Sequence, residues 1–287
     1  MPSFGVHITR RQGLYTRAVY QAFLKSFARP LPVPAVDVDL VCFSSSRDLP
    51  EQVLSIRSFY RRVGFPKSIR IYSDGSHSPA ERELLAALHP QLAVADYTTL
   101  LGTHLPHSVH EYARTQAMGK KLVVMASLQV HRRTVYADSD ILFFSGAAEI
   151  GDPNNHPSKT PRYLLDCWPS LDERLIKYPT ETKQPVNAGL FILEKPLDWT
   201  EAWSRWSTMT GEPAFFTEQT MVNITMKLAG GEPLPPDRYV MRNEDQFLLL
   251  DHFTPPGVAA RHYISSLRYK MWARLTQPAG GRLKPKT

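Results

Sequence analysis

Cysteine is nearly absent from this chain: Cys42 and Cys167 are the only two in 287 residues. Two cannot build a disulfide framework, and their surroundings are not those of a metal knuckle. Both are expected to be buried, reduced thiols. Nor is there a run of ~18–20 apolar residues, which removes a membrane-spanning helix. The N-terminus lacks the apolar core of a signal peptide, so the cytoplasm is the expected compartment. No G-x-G-x-x-G is present, which argues against a hydride-transferring dinucleotide enzyme. Zinc patterns, a recognition-helix signature and aromatic RNA-binding motifs are missing, so no nucleic-acid partner is expected. Internal repeats and low-complexity tracts are missing too. Finally, residues 1–34 contain no acid at all.

What is there is ordinary in bulk. The chain is 43% hydrophobic and 21% charged, the composition of a soluble globular protein with a large core. The 34 basic residues against 27 acids leave a net charge of +7. That balance suits a phosphorylated ligand or an anionic membrane surface. Residues 1–35 read as a basic helical segment. It carries Arg10, Arg11, Arg17, Lys25 and Arg29, with Leu14, Ala18, Phe23, Leu24 and Phe27 at roughly helical spacing. Such a segment suits peripheral contact with a membrane, or simple packing on the outside of a domain. Residues 36–275 read as the main domain, and 276–287 as a basic, flexible tail.

The main domain alternates strand and helix. Residues 38–44 predict a first strand. Asp48 and Pro50 predict the N-cap and first turn of a helix that closes at Gly64. Residues 68–72 and 92–97 predict two more strands, with a helix over 79–88 between them. Residues 109–130 predict helix, and 134–144 a strand interrupted by Asp138 and Asp140. Helical crossovers imply a mostly parallel, Rossmann-like α/β sheet flanked by helices, with a less regular C-terminal half. Ligands of such sheets bind beyond the carboxyl ends of the strands. Ser44, Ser46, Asp74 and Asp138–Asp140 all fall there.

The most informative stretch is Tyr136-Ala137-Asp138-Ser139-Asp140-Ile141-Leu142-Phe143. Bare acids are rare inside an apolar strand. Within a strand, residues i and i+2 point to one side. Two carboxylates there suit a hard cation, and the cation can carry a diphosphate. Asp-Ser-Asp is also ordinary turn chemistry. Three further constellations follow in order. They are Val186-Asn187-Ala188-Gly189 heading an apolar strand, Glu218-Gln219 with Val222-Asn223 on a helix, and His262-Tyr263-Ile264-Ser265-Ser266-Leu267-Arg268-Tyr269-Lys270-Met271-Trp272.

Together the four motifs resemble the GT-A nucleotide-sugar glycosyltransferases. The likeness is greatest to the retaining group that includes glycogenin and the bacterial lipooligosaccharide galactosyltransferases. It spans residues 36–272. It implies a GT-A fold and transfer of a sugar from a nucleotide-sugar, most often a UDP-sugar, to a hydroxyl acceptor on a glycan or lipid-linked carrier. It implies Mn2+ or Mg2+ held by Asp138, Asp140 and His262. Asn187, Gln219 and Glu218 would face the donor sugar. Ser44, Ser46, Asp74 and Ser139 would line the nucleotide. Lys120 or Lys121, with Arg268 and Lys270, would serve the phosphates. Asp166 and Trp168 would shape the acceptor pocket. Glu218 stands where the family has Asp, Ser265 where it has Gly, and Arg268 where it has Lys.

Several of these residues have plainer readings. The Lys120-Lys121 pair could be a solvated face, Asp74 a turn residue, Asn187 a strand-end amide, His262 a packed ring and Trp168 a buried one. Two other functions compete. A nucleotidyltransferase shares the doubly wound plan, but its first strand usually leads into a Gly-rich loop, and Ser44-Ser45-Ser46-Arg47 has no glycine. A non-catalytic nucleotide-sugar-binding protein would keep the fold without needing Asp138, Asp140 and His262.

Overall fold

The computed structural model describes residues 4–102, 105–155, 159–249, 251–254 and 256–276. The chain opens with α1 (Phe4–Ala22) and a single turn, α2 (Leu24–Phe27). A regular alternation follows: β1 (Asp39–Ser44), α3 (Leu49–Arg62), β2 (Ser68–Ser73), α4 (Pro79–Ala86) and β3 (Leu92–Asp96). Helices α5 (His107–Thr115) and α6 (Ala117–Ala126) lead to β4 (Thr134–Ala137) and β5 (Ile141–Phe143). The second half holds α7 (Ala148–Gly151), β6 (Arg162–Leu165), β7 (Val186–Leu193), α8 (Thr200–Thr208) and α9 (Thr217–Leu228). The last elements are β8 (Glu232–Pro233), β9 (Tyr239–Val240), β10 (Ala260–His262) and α10 (Arg268–Ala273).

Seven strands form the main sheet in the order β3-β2-β1-β4-β7-β6-β8. The β3-β2-β1-β4 half is parallel, as helical crossovers require, while β7 runs antiparallel to both β4 and β6. All eight residues of β7 are buried. Alternation along the strands feeds two cores. Leu40, Cys42, Val135 and Ala137 pack on one face, and Val41, Tyr136 and Phe191 on the other. A second sheet, β5-β10-β9, brings the C-terminal region against the end of β4.

Four local expectations need correction. The 134–144 run is not one strand. It breaks after Ala137, and Asp138-Ser139-Asp140 is the connection between two sheets. The helix expected over 109–130 is two, parted at Gln116, which is extended (φ −135°, ψ 141°). Asp48 does sit at the N-cap of α3, but its side chain makes no cap bond. It accepts instead from Ser45 Oγ and Arg268.

The fourth concerns α1, which turns a different stripe inward from the one its hydrophobicity suggested. Of the expected stripe, Leu14, Ala18 and Phe23 are exposed, while Leu24 and Phe27, on α2, pack on the core; the buried face of α1 is Val6, Thr9, Gly13 and Tyr20. Gly13 explains the docking, because a Cβ there would stand 2.1 Å from the Tyr269 carbonyl oxygen on α10. Arg17 pins the helix to Glu51 of α3. Among the described residues, no helix is long and apolar enough to cross a membrane. The expected flexible tail, residues 277–287, lies outside the described residues.

Candidate active site

A cleft of about 470 Å³ opens beyond the carboxyl ends of β1, β2 and β4. Its lining includes Ser44, Ser46, Asp74, Lys121, Asp138, Ser139, Asp140 and Arg268. The topology explains this convergence, since parallel strands end on one edge and their connections rise from it. The acids meet there although they do not lie within a strand. Asp138 is anchored by its N–H to the Gly189 carbonyl (2.8 Å). The Asp140 carbonyl accepts from the N–H of Tyr263 (2.9 Å), which follows β10.

Donor atoms of Asp138, Asp140 and His262 all lie within 4.8 Å of one another. His262 Nε2 stands 3.1 Å from Asp140 Oδ1 and 4.0 Å from Asp138 Oδ2. The ring's other nitrogen, Nδ1, is 2.9 Å from Asn187 Oδ1. That oxygen also accepts the Gly189 N–H, while the Asn187 amide nitrogen donates to Asp166. The bonding pattern assigns a proton to Nδ1 and turns Nε2 toward the carboxylates. Gly189 makes room for the ring, because a Cβ there would lie 2.4 Å from His262 Cε1. Two carboxylates and one imidazole suit a borderline divalent cation such as manganese better than calcium. The donor set thus fits the metal expected from the sequence.

Charged side chains surround these three residues. Lys121 donates to Asp138 Oδ2 (2.7 Å), and Tyr136 OH donates to Asp138 Oδ1 (2.9 Å). Arg268 bridges Asp140 Oδ2 and Asp48 Oδ1, at 2.7 Å to each. Burial opposes ionisation of Asp140, but His262 and Arg268 hold its carboxyl well below the usual range. Glu218 lies beneath, 3.8 Å from Lys121, with its Oε1 buried and without a hydrogen-bond partner. Burial pushes Glu218 up to about 7, against the pull of Lys121. Burial works against the Lys121 charge, yet Asp138 and Glu218 keep its pKa above the ordinary value.

Not every expected residue reaches the cleft wall. Lys120 turns away to bond the Asp74 carbonyl (2.8 Å) and cover the Tyr97 ring. The Asp74 carboxylate accepts from Ser76, so its turn role is real although it lines the cleft. The Ser46 hydroxyl is taken by Glu81 (2.6 Å). Lys270 is 1% exposed and sits against Asp245 (3.3 Å), away from the lining. The two-residue shift of Lys270 in its motif turns it to the inner side of α10. Asn187, Glu218 and Gln219 form a layer under the cleft. Gln219 donates to Asp166 and to the Ser170 carbonyl, both at 2.9 Å. Trp168 is 60% exposed, not buried.

Sequence reasoning missed two roles. Asp48 was read as a cap and is a partner of Arg268. Asp166, read as an acceptor-side residue, joins Asn187 to Gln219. A hint for Asp166 was its place just past β6, beside the Asn187 strand.

No family model and no curated protein matches this chain. Solved structures do. The galactosyltransferase LgtC, in complex with donor and acceptor sugar analogues, aligns with 84% of this chain and 98% of its own, at 12% identity and a TM-score of 0.53. Mouse xyloside xylosyltransferase 1 in its apo form aligns with 81% of this chain and 99% of its own, at 12% identity and 0.52. The bifunctional glycosyltransferase WbbM aligns over 80% of this chain but 46% of its own, at 14% identity and 0.52. The chain therefore has the GT-A fold of these glycosyltransferases.

Proposed function

We propose that this protein is a metal-dependent glycosyltransferase that moves a sugar from a nucleotide-sugar to a hydroxyl acceptor. The observation that carries the reading is the convergence of Asp138, Asp140 and His262, from two separate stretches of chain, on one edge of a GT-A sheet. Asp138, Asp140 and His262 would hold Mn2+ or Mg2+. A cation there would act as a Lewis acid on the leaving diphosphate. Arg268, already at the carboxylates, is placed to take phosphate oxygens in its planar fork. Lys121 adds a second fixed positive charge. Ser44 and Asp74 would border the base and ribose.

UDP is the expected nucleotide, as in the resembled group. Calorimetry with Mn2+ should give UDP tighter binding than GDP, ADP or NAD. Tight GDP or CMP binding with none for UDP would overturn this assignment. Asp140→Asn should remove metal-dependent hydrolysis of the UDP-sugar while the thermal transition persists.

Retention of configuration is proposed as well. Among the described residues, the carboxylates that line the cleft are Asp48, Asp74, Asp138 and Asp140. Asp48, Asp138 and Asp140 are engaged by Arg268 or Lys121, and Asp74 by Ser76. None of these four is left to serve as a general base opposite the leaving group, and Glu218, beneath the cleft with its Oε1 unbonded, is the acid an inverting mechanism would use instead. The departing phosphate can take the acceptor proton instead, with Arg268 holding it. NMR of the freshly formed glycoside tests this, and an inverted anomer would reject it without touching the fold. The acceptor is a glycan, a lipid-linked carrier or another molecule that offers a hydroxyl.

A further inference from the structure

A second cavity, of about 410 Å³, lies between α3, the end of α1, α2 and the residues after α10. Its polar lining is dominated by one sign. Arg57, Arg61, Arg62 and Arg274 border it, and no carboxylate does among the described residues. Its floor is apolar, built from Leu54, Leu142, Phe143 and the stacked pair Tyr20 and Phe27 (centroids 4.3 Å apart). Arg57 is 6% exposed, and its guanidinium donates to the Phe27 and Arg29 carbonyls. Burial, with Arg61 and Arg29 adding repulsion, draws the Arg57 pKa below its ordinary value. The Tyr20 hydroxyl is buried in the same lining and has no hydrogen-bond partner. Arginines lining a cavity with no carboxylate in its described wall, beside an orphaned O–H donor, make a place for an anion.

The surroundings narrow which anion. A soluble ion has no use for the aromatic floor. The solvent side of α1, which ends at this cavity, exposes Ile8, Leu14, Tyr15 and Val19, and Phe23 follows it, all at 40–73%. Arg11 on α1 and Lys25 on α2 are exposed as well, and residues 1–34 hold no acid. Apolar side chains interleaved with cations on an exposed helix suit the headgroup boundary of an anionic bilayer.

We propose that α1, α2 and the arginine-rich end of α3 form a docking face for an anionic phospholipid membrane, with the cavity taking one phosphate headgroup. The headgroup oxygens face Arg61, Arg62 and Arg57, and the exposed α1 side chains enter the acyl boundary. Docking of this kind is independent of sugar transfer, so its test uses neither metal nor donor.

The full chain is co-sedimented with vesicles of phosphatidylcholine alone and of phosphatidylcholine with phosphatidylglycerol. Binding is expected only to the anionic vesicles, weakening as salt rises. Arg61→Glu with Arg62→Glu should lower the partition coefficient by about a hundredfold, since each basic residue near such a surface contributes measurably. Phe23→Ser, an exposed position, should lower it several-fold. Tyr20→Phe, which removes only the orphaned hydroxyl, should lower it less. All three should retain the parental melting transition and UDP affinity. Three results would overturn the proposal. They are equal binding to neutral vesicles, an unchanged partition for the double arginine variant, and full release by inorganic phosphate at constant ionic strength, which would mark the cavity as a site for a soluble anion.

Discussion

Two buried charge clusters meet at β10, and they differ in balance. Arg261 and His262 are neighbours on that strand, so alternation sends their side chains to opposite faces. Arg261 enters a cluster with Asp245, Asp251 and Lys270. There two cations meet two carboxylates. His262 enters the cluster under the cleft. There Asp138, Asp140 and Glu218 share Lys121 and Arg268, and Asp48 claims part of Arg268 as well. The first cluster neutralises itself and holds the C-terminal region in place. The second keeps negative charge in surplus at an open surface, and a surplus of that kind has room for a cation.

Removing a carboxylate from each cluster should separate the two roles. Asp140→Asn should reduce metal-dependent transfer by about a thousandfold, roughly 4 kcal/mol on the barrier, as expected when a Lewis acid is lost. Its melting temperature should fall modestly: His262 and Arg268 make the Asp140 charge a stabilising one, but Arg268 keeps Asp48 as a partner. Calorimetry with Mn2+ and a donor-turnover assay give the two readouts. Asp245→Asn should do the reverse. It leaves Arg261 and Lys270 with Asp251 alone, so the loss should be about 3 kcal/mol of stability in a denaturant titration. UDP affinity per folded molecule should stay at the parental value. If Asp245→Asn abolished nucleotide binding in folded protein, the division between the clusters would fail.

The pH dependence of stability sharpens the comparison from inside the cleft. Glu218 is lifted by burial from an ordinary 4.5 to about 7. Its folded pKa is above its unfolded one, so between those values the native state binds more protons. Stability therefore falls as pH rises from roughly 4.5 to 7 and levels off beyond. The full effect is on the order of 3 kcal/mol. Glu218→Gln should flatten that slope, as read by chemical denaturation across the same range without metal. A slope that survives the substitution would place the responsible group elsewhere.

The sequence made the parallel half of the fold legible, because β1 through β4 repeat a strand–helix period that only one sheet direction satisfies. It also located the three metal-ligand candidates. Asp138 and Asp140 interrupt an apolar run, and His262 sits in a motif of its own. What it concealed were matters of side-chain direction. Lys270 and Arg268 are two residues apart on α10, and no spacing rule told which faces the cleft. Leu14 and Ala18 face outward because Gly13, with no side chain to score, decides which face of α1 can touch α10. Asp48 looked like a cap because capping is local, whereas its partner Arg268 lies 220 residues away.

The smallest expected effect concerns the layer beneath the cleft. Gln219 Nε2 donates to Asp166 and to the Ser170 carbonyl, and its Oε1 accepts weakly from the Ala188 N–H (3.4 Å). Asp166 in turn receives the Asn187 amide, whose oxygen fixes the His262 proton. Gln219 is thus three hydrogen bonds removed from the imidazole, with Asp166 and Asn187 between. Its amide carbonyl carries one weak bond, which leaves a lone pair for positive charge developing at an anomeric carbon. Both roles matter more in the transition state than in the donor complex. Gln219→Ala should then lower kcat about tenfold, some 1.4 kcal/mol, with UDP affinity unchanged. Gln219→Glu separates the two. A carboxylate cannot donate to Asp166, so the support of His262 is lost while an oxygen is kept for the sugar. If His262 orientation is what Gln219 supplies, Mn2+ affinity should fall in both variants. If direct support of the sugar is what it supplies, Mn2+ affinity should hold in the alanine variant while kcat falls. Manganese titration of the two proteins, alongside the kcat and KM of each, decides which bond of the layer reaches the chemistry.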